Sequence, residues 1–367
     1  MKRWLGVLVA LMLVAAACGG SEEAAVSTSD CGPGDTDGDL SFYNWAEYID
    51  PDLIDAFEAE YGISVEYTEY ESNEEMLAQV EAGAAVYDLV VPSDYMVDTM
   101  IQEDLLVKLN KDAIPNLGNL DDAFTNLPFD EAGDFSVPYQ WGTTGIGVNV
   151  GAIGEGFDPS WALLFDADVA DQYQGRISLL DDPLEAMVAA LHYAGYTLEE
   201  VIADNNLDAI AEAEAILAEA NARVAKYDSV NFGDDLVTGE VDIAHGWSGG
   251  FFASFAEADN ADELVYIIPK EGGVRWVDNM AIPVTAEHPC SASTMINFIL
   301  DAENGATLTN WNYYGSPNEA SEAFILPEIL EDEAIYPSGD ALENLEFIPQ
   351  VGELGLELQD AFTRSKS

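Results

Sequence analysis

The chain has 367 residues, 49% hydrophobic and 10% aromatic, which is enough apolar material for a sizeable core and favours two domains over one. Its 70 acidic and 11 basic residues give a formal net charge of -59. This charge argues against nucleic acid or an anionic membrane surface as a partner, because both would repel the protein. It fits a cationic ligand, but a salt-adapted surface would have the same composition, so charge alone identifies no ligand.

The N-terminus has the order of charges and apolar residues of an export signal. Lys2 and Arg3 precede the apolar run Trp4–Ala17, which is shorter than the roughly 20 residues of a membrane-spanning helix. Cys18 follows three alanines directly, a pattern typical of bacterial lipoproteins, in which this cysteine becomes the lipidated N-terminus. We predict a signal peptide over residues 1–17 and a lipid anchor at Cys18 that holds the protein outside the cytoplasm, in the periplasm or on the cell surface. An ordinary secretory signal is the alternative.

Residues 18–39 have the composition of a flexible tether, being rich in Gly, Ser, Thr, Glu and Asp. The run Asp35–Asp39 begins like a calcium loop, but Leu40 stands where that loop needs glycine, so no metal site is predicted. In an exported chain the two remaining cysteines, Cys31 and Cys290, make a disulfide plausible. The sequence leaves open whether they pair.

From Leu40 onward, short apolar runs alternate with helical patterns. Asp50-Pro51 and the capping box Ser72–Glu75 mark two helix starts, and apolar spacing from Ile210 to Val224 indicates one long amphipathic helix. Strands alternating with helices predict an α/β fold with largely parallel sheets. The predicted strands are Leu40–Tyr43, Ile63–Tyr67, Asp88–Val91, Gly145–Val148, Ile177–Leu180, Val241–Ala244, Val265–Ile268 and Met280–Pro283.

Aromatic and acidic residues recur next to these predicted strands. In open α/β sheets, ligands bind beyond the carboxyl ends of the strands. A buried ammonium group needs carboxylates to offset its lost hydration, and each flat ring adds a cation–π energy of roughly 0.5–2 kcal/mol. The pattern therefore predicts a site for an elongated molecule with several ammonium groups. The stretches concerned are Asn44–Tyr48, Ser93–Tyr95, Asp181–Glu185, His245–Trp247 and Trp276–Asp278.

A secreted serine hydrolase is the alternative function. Gly246-Trp247-Ser248-Gly249-Gly250 matches the G-x-S-x-G elbow and follows a predicted strand. A triad would need a histidine and an acid downstream of Ser248. His288 is the only such histidine, and Asp278 is among the possible acids. His192 and His245 lack the spacing of zinc ligands, and no phosphate-binding loop is present, so no cofactor is predicted. A structural surface lipoprotein without a small ligand is a third class.

Five stretches of the chain are specific enough to compare with a known family: Tyr43–Trp45, Tyr70–Glu74, Tyr87–Ser93, Ser136–Gly142 and Pro269–Gly273. In these stretches the chain resembles the periplasmic spermidine/putrescine-binding proteins of bacterial polyamine ABC transporters. The resemblance runs from about Leu40 to the C-terminus and implies a two-lobed α/β fold with a hinge and a ligand cleft between the lobes. The first lobe would hold residues 40–139 plus 277–318, and the second lobe residues 140–276 plus 319–367.

The resemblance also implies a function without catalysis. Such a protein captures a polyamine and delivers it to the permease and ATPase subunits of an importer. The implied aromatic walls are Trp45, Tyr48, Tyr95, Trp247, Trp276 and Tyr314. The implied ammonium partners are Asp182, Glu185 and Asp278, with Ser93 and Ser229 as polar contacts. Ala46 replaces a frequent threonine of the spermidine binders, and Ile348 replaces a glutamine, although Gln350 is close by, so the choice between spermidine, putrescine and related amines stays open.

Overall fold

The structure is a computed structural model that describes residues 26–83, 85–256, 258–339, 342, 344–349 and 351–367. The predicted signal peptide and Cys18 lie outside the described residues. Within the described ranges, no helix is both long and apolar enough to cross a membrane.

One continuous sheet runs through both lobes. Its strand order is β2-β1-β3-β9-β4-β7-β5-β6, with β8 added beside β4 and β10 beside β9. The strands of the described chain are β1 Leu40–Trp45, β2 Val65–Tyr70, β3 Leu89–Val90, β4 Ser136–Asn149, β5 Ile177–Leu179, β6 Val224–Tyr227, β7 Ile243–Trp247, β8 Leu264–Ile267, β9 Gly273–Ala281 and β10 Leu345–Glu346.

Helices follow most of the strands, and two of the predicted helix starts are confirmed. Asp50 accepts a hydrogen bond from the Asp52 N–H, and Ser72 accepts one from the Glu75 N–H. The helices of the described chain are α1 Pro51–Tyr61, α2 Asn73–Ala82, α3 Asp94–Gln102, α4 Val150–Ile153, α5 Ala162–Phe165, α6 Ala167–Ala170, α7 Pro183–Ala194, α8 Leu198–Ala203, α9 Leu207–Ala220, α10 Phe232–Thr238, α11 Ser248–Ala256, α12 Pro289–Ile299, α13 Ala302–Asn312, α14 Pro327–Leu330 and α15 Glu353–Ser365.

Strands β4 and β9 pass from one lobe into the other. Residues 136–143 of β4 pair with β9, and residues 144–148 of the same strand pair with β7. The pairing with β9 shifts register next to Pro138, which has no N–H to donate to the ladder. The two-lobed α/β fold is thereby confirmed. The lobe limits at 139/140, 276/277 and 318/319 remain a prediction.

The sheet is less parallel than predicted. Strand β1 is parallel to β2 and β3, and β5 is parallel to β6 and β7, as expected. Strand β4 is antiparallel to β7, β8 and β9, and β3 is antiparallel to β9. The expectation is therefore correct for these two parallel sets and wrong for β4 and β9, including the pairing of β4 with β7 and β8.

The predicted long helix is also shorter than expected. Helix α9 ends at Ala220, and after a turn through Arg223 the chain enters β6 at Val224. Val224 pairs with Ile177 of β5, so this β-branched residue belongs to the sheet. Its position four residues beyond Ala220 preserved the helical spacing by coincidence.

Residues 26–39 pack against the first lobe, so the prediction of a flexible tether is wrong for them. The Thr28 hydroxyl donates to the Lys108 carbonyl and accepts from the Asn110 N–H, both at 2.8 Å. Cys31 forms a disulfide with Cys290 of α12, which answers the question that the sequence left open. Polar residues such as Thr28, Asp37 and Asp39, which suggest a solvated linker, instead bond to the lobe.

Candidate functional site

A cavity of about 350 Å³ lies between the lobes, at the carboxyl ends of β1, β3, β5 and β7. Because β1 is parallel to β3, and β5 to β7, the residues that follow the strands of each pair come together, and both sets line the cavity. All the residues predicted to bind ligand line this cavity: Trp45, Tyr48, Ser93, Tyr95, Asp182, Glu185, Ser229, Trp247, Trp276, Asp278 and Tyr314. Their contact with a ligand remains a prediction.

Two tryptophans that line the cavity contact each other edge to face. The rings of Trp45, at the end of β1, and Trp247, at the end of β7, have centroids 5.9 Å apart and are inclined by 67°. The Trp45 indole N–H donates to the Val91 carbonyl at 2.9 Å, which fixes the ring on the first lobe. The Trp247 indole N–H donates to Glu185 at 3.2 Å, which fixes that ring on the second lobe.

A second aromatic wall is formed by Tyr48, Trp276 and Tyr314. The Tyr314 ring lies 5.2 Å from each of the other two, with edge-to-face geometry. Its hydroxyl accepts a hydrogen bond from the Gly250 N–H at 3.1 Å. A Cβ atom at Gly249 would lie 2.4 Å from the Tyr314 ring, so glycine is required there for α11 to approach the wall.

Ser93 and Asp278 form a buried polar centre on the first lobe. Ser93 precedes α3 without capping it, because its hydroxyl donates to Asp278 at 2.6 Å instead. Asn73 holds Ser93 in place by donating to its hydroxyl at 3.0 Å and accepting from its N–H at 3.1 Å. The same amide nitrogen donates to the Tyr95 hydroxyl at 3.0 Å, so one asparagine positions two predicted site residues.

The N-terminus of α7 brings two carboxylates from the second lobe. Asp182 caps the helix by accepting from the Glu185 N–H at 3.0 Å, and Pro183 fixes the first turn. One oxygen of Glu185 accepts from Thr144 at 3.0 Å and from Trp247. Its other oxygen is buried and has no hydrogen-bond partner among the described residues. A ligand with N–H donors would satisfy it.

Burial shifts the pKa of the acids in this cavity into the neutral range. Loss of hydration raises the pKa of Asp278 to about 7, although the hydrogen bond from Ser93 acts to lower it. Burial likewise raises the pKa of Asp182 to about 7 and that of Glu185 to about 8, and the negative charges of Glu74 and Asp182, respectively, act in the same direction. A cation placed among these groups would restore their charged form.

Sequence reasoning missed several residues that line the cavity. Asp94 is buried, accepts from the Tyr95 N–H at 2.7 Å and has a pKa raised to about 8 by burial. It lies inside the stretch Ser93–Tyr95, so its position after a predicted strand could have identified it as a site residue. Asp234 and Trp311 gave no such signal, because they lie in α10 and α13 rather than at strand ends.

The serine elbow does not assemble a triad in the described part of the chain. Ser248 is 2% exposed, and its hydroxyl accepts from the Thr143 N–H at 3.3 Å. The backbone N–H of His288 donates to Asp88. The His288 ring lies against Gly38, near the amino end of β1 and away from the cavity. Gly246 is explained by packing, because a Cβ there would lie 2.5 Å from the Phe232 ring.

Metal ligands are not clustered in the described ranges, where no group of three or more His, Cys, Asp or Glu residues could hold an ion. His245 is fully buried against Trp161, and burial lowers its pKa to about 3. It is therefore a neutral core residue at any ordinary pH.

Comparison with known proteins agrees with this architecture. A spermidine/putrescine-binding periplasmic protein of Escherichia coli K12 is 35% identical over 337 residues, which are 91% of this chain and 93% of the relative. A putrescine/cadaverine-binding protein of Pseudomonas aeruginosa PAO1 is 31% identical over 341 residues, 92% of each chain. A solved structure described as a spermidine/putrescine ABC transporter from Listeria monocytogenes is 34% identical with a TM-score of 0.83, covering 90% of this chain and 99% of the other. The bacterial extracellular solute-binding protein family matches residues 52–337, and the chain belongs to this family.

Proposed function

We propose that this protein is the polyamine-binding component of an ABC importer, and that it acts by binding rather than by catalysis. The observation that carries the proposal is the charge of the cavity. Among the described residues that line it, seven are acidic and none is basic. The acidic residues are Glu47, Glu71, Asp94, Asp182, Glu185, Asp234 and Asp278.

The cavity pairs these acids with aromatic surface, as a polyamine requires. Ammonium groups would pair with the carboxylates, which offsets the loss of hydration on both sides. The methylene segments between them would lie against rings such as Trp45 and Trp276. Because Ser93 belongs to the first lobe and Glu185 to the second, a ligand that touches both would shift the lobes toward the closed arrangement.

Cargo delivery would depend on a membrane anchor and on partners in the membrane. Cys18, directly after three alanines, is the proposed lipidation site, and the relatives named periplasmic support a position outside the cytoplasm. The closed form would dock on a permease coupled to ATPase subunits. Replacing Cys18 with Ser should release the protein from the membrane fraction. A Cys18→Ser variant that sediments with the membranes as the native protein does would overturn the anchor.

Calorimetric titration with spermidine, putrescine and cadaverine tests the binding proposal. Butylamine, which has one ammonium group and a similar carbon chain, is the matched control ligand. We expect the polyamines to bind and butylamine to bind at least about tenfold more weakly, since one lost charge pair is worth 1.4 kcal/mol or more. Titrations without heat for all three polyamines, together with an unchanged melting temperature, would refute the proposal.

A further inference from the structure

Three large apolar side chains lie exposed close together in the described chain. They are Trp311, Phe324 and Leu326, with relative exposures of 38%, 49% and 41%. We call these three residues the apolar patch. A single exposed apolar residue needs no explanation, but neighbouring ones on one surface are typical of an interaction site.

Asn310 holds the apolar patch together. Its side-chain amide donates to the Phe324 carbonyl at 3.1 Å and accepts from the Leu326 N–H at 2.8 Å. It thereby fastens the segment before α14 to the last turn of α13, where Trp311 lies. Ile325, between the two exposed residues, is 5% exposed and packs with Ala306 of α13. The patch is therefore presented on a fixed backbone.

The apolar patch adjoins the mouth of the ligand cavity. Trp311 lines that cavity, together with Glu47 of the first lobe and Ala253 of α11 in the second lobe. Phe252 of α11 packs against the cluster that contains Ile325. Residues of both lobes thus line the cavity beside Trp311, so lobe closure would change the surroundings of the patch although its own backbone is fixed.

Charge restricts what can cover the apolar patch. The chain has no Lys or Arg between Arg275 and Arg364, and Glu322 and Glu328 are exposed on either side of Phe324 and Leu326. A second copy would bring another acidic rim and a net charge of -59, and an anionic membrane surface would also be repelled. A complementary partner would therefore present an apolar side chain flanked by Lys or Arg.

We propose that the apolar patch is the docking surface for the extracytoplasmic face of a permease subunit, which would meet it with an apolar loop flanked by basic residues. The inference rests on the proposed function, since an importer component must contact its permease. Its position at the cavity mouth would let the permease distinguish closed from open lobes.

The test variant is Phe324→Ser/Leu326→Ser, which leaves Trp311 and the cavity lining unchanged. The matched control is Leu207→Ser/Leu356→Ser, two residues that are 52% and 72% exposed on α9 and α15. Each variant would replace the native protein in its own cells, and uptake of labelled spermidine would be measured beside the calorimetric affinity of the purified protein. We expect the patch variant to lose about tenfold or more in uptake with unchanged affinity, and the control to keep both.

A second variant, Glu322→Lys/Glu328→Lys, changes only exposed side chains and should therefore keep the fold. It should also reduce uptake, because it would repel a basic partner. Normal uptake in both the Phe324→Ser/Leu326→Ser and the Glu322→Lys/Glu328→Lys cells would overturn the docking surface. Absence of spermidine binding to the native protein would instead overturn the proposed function, so the two failures are distinguishable.

Discussion

The indole rings of Trp45 and Trp247 come from different lobes and meet across the cavity at a centroid distance of 5.9 Å. Each ring is fixed on its own lobe by the hydrogen bond of its indole N–H. A ligand between the lobes would therefore contact two rigid surfaces whose separation is set by lobe closure.

Removing either ring should weaken polyamine binding. We expect Trp45→Ala and Trp247→Ala each to cost about 2–4 kcal/mol of binding free energy, since tryptophans contribute a large share of the energy at such interfaces. Because the rings are neighbours, the double variant should deviate from additivity by about 0.5 kcal/mol or more. Calorimetry on the four proteins measures this cycle. Additive losses would show that the rings act independently.

Asp278 is expected to hold an ammonium group. The variant Asp278→Asn keeps the size of the side chain but removes its charge, and should cost about 2–5 kcal/mol in spermidine binding. Ser93→Ala, which removes the hydroxyl that donates to Asp278, should cost less. The exposed Asp360→Asn is the control for the loss of one negative charge and should bind normally. Equal affinities of all three variants would place the ammonium site elsewhere.

Polyamine affinity should fall as the pH is lowered. The pKa values of Asp278 and Asp182 are raised to about 7, and those of Glu185 and Asp94 to about 8, so acid adds protons that a bound ammonium must displace. The primary ammonium groups keep their charge here, with a pKa of about 10. Titrations between about pH 6 and pH 8.5 should show weaker binding and proton release at the acidic end. A flat profile would contradict this linkage.

The stability of the ligand-free protein should change with pH in the opposite direction to the affinity, and fall as the pH rises. The folded pKa of these acids lies above the ordinary values of 3.8 for Asp and 4.5 for Glu. Their contribution to the free energy of unfolding is complete below those ordinary values, and it is lost as the pH rises through about 7 to 8. An Asp94→Asn/Asp182→Asn variant should therefore lose less unfolding free energy than the native protein when the pH is raised from about 5 to about 8.5. Thermal melts of the two proteins across this range measure the difference, and parallel curves would count against it.

The disulfide between Cys31 and Cys290 should stabilise the fold without affecting the ligand. It joins residues 259 apart in sequence, so breaking it with a Cys31→Ser/Cys290→Ser variant should cost about 2–5 kcal/mol of unfolding free energy. It connects the segment before β1 to α12, away from the carboxyl end of β1 where the cavity lies. Denaturant unfolding and calorimetry of the variant would test both parts. A large loss of spermidine affinity would show that α12 influences the site.

The site was more predictable from sequence than the boundaries of the fold. Trp45 and Asp182 could be located because Trp45 ends β1 and Asp182 follows β5, and each of these strands belongs to a parallel set whose carboxyl ends lie together. Asp234 lies in a helix and enters the cavity only through the packing of α10, which sequence spacing does not encode. Trp311 also depends on packing, that of α13 against α11, and its exposure gives no local signal.

The errors in secondary structure have physical causes of the same kind. Val224 fits a helical spacing, but pairing with β5 decides its conformation, and that pairing is remote in sequence. The first half of β4, which spans Ser136–Asn149, was not predicted. It contains Pro138, and proline disfavours a strand because it has no N–H to donate. In the structure, the pairing of β4 with β9 shifts register beside Pro138, so the proline fits into the strand. This shift depends on the position of β9, which is remote in sequence.

Because β4 and β9 continue through both lobes, we expect the molecule to unfold as a single cooperative unit. Residues of β4 pair with β9 on one side of the junction and with β7 on the other, so neither lobe has a complete sheet without the other. Lobes cut apart between these strands should fail to fold. Heating should melt the whole protein in one transition, with calorimetric and van't Hoff enthalpies that agree.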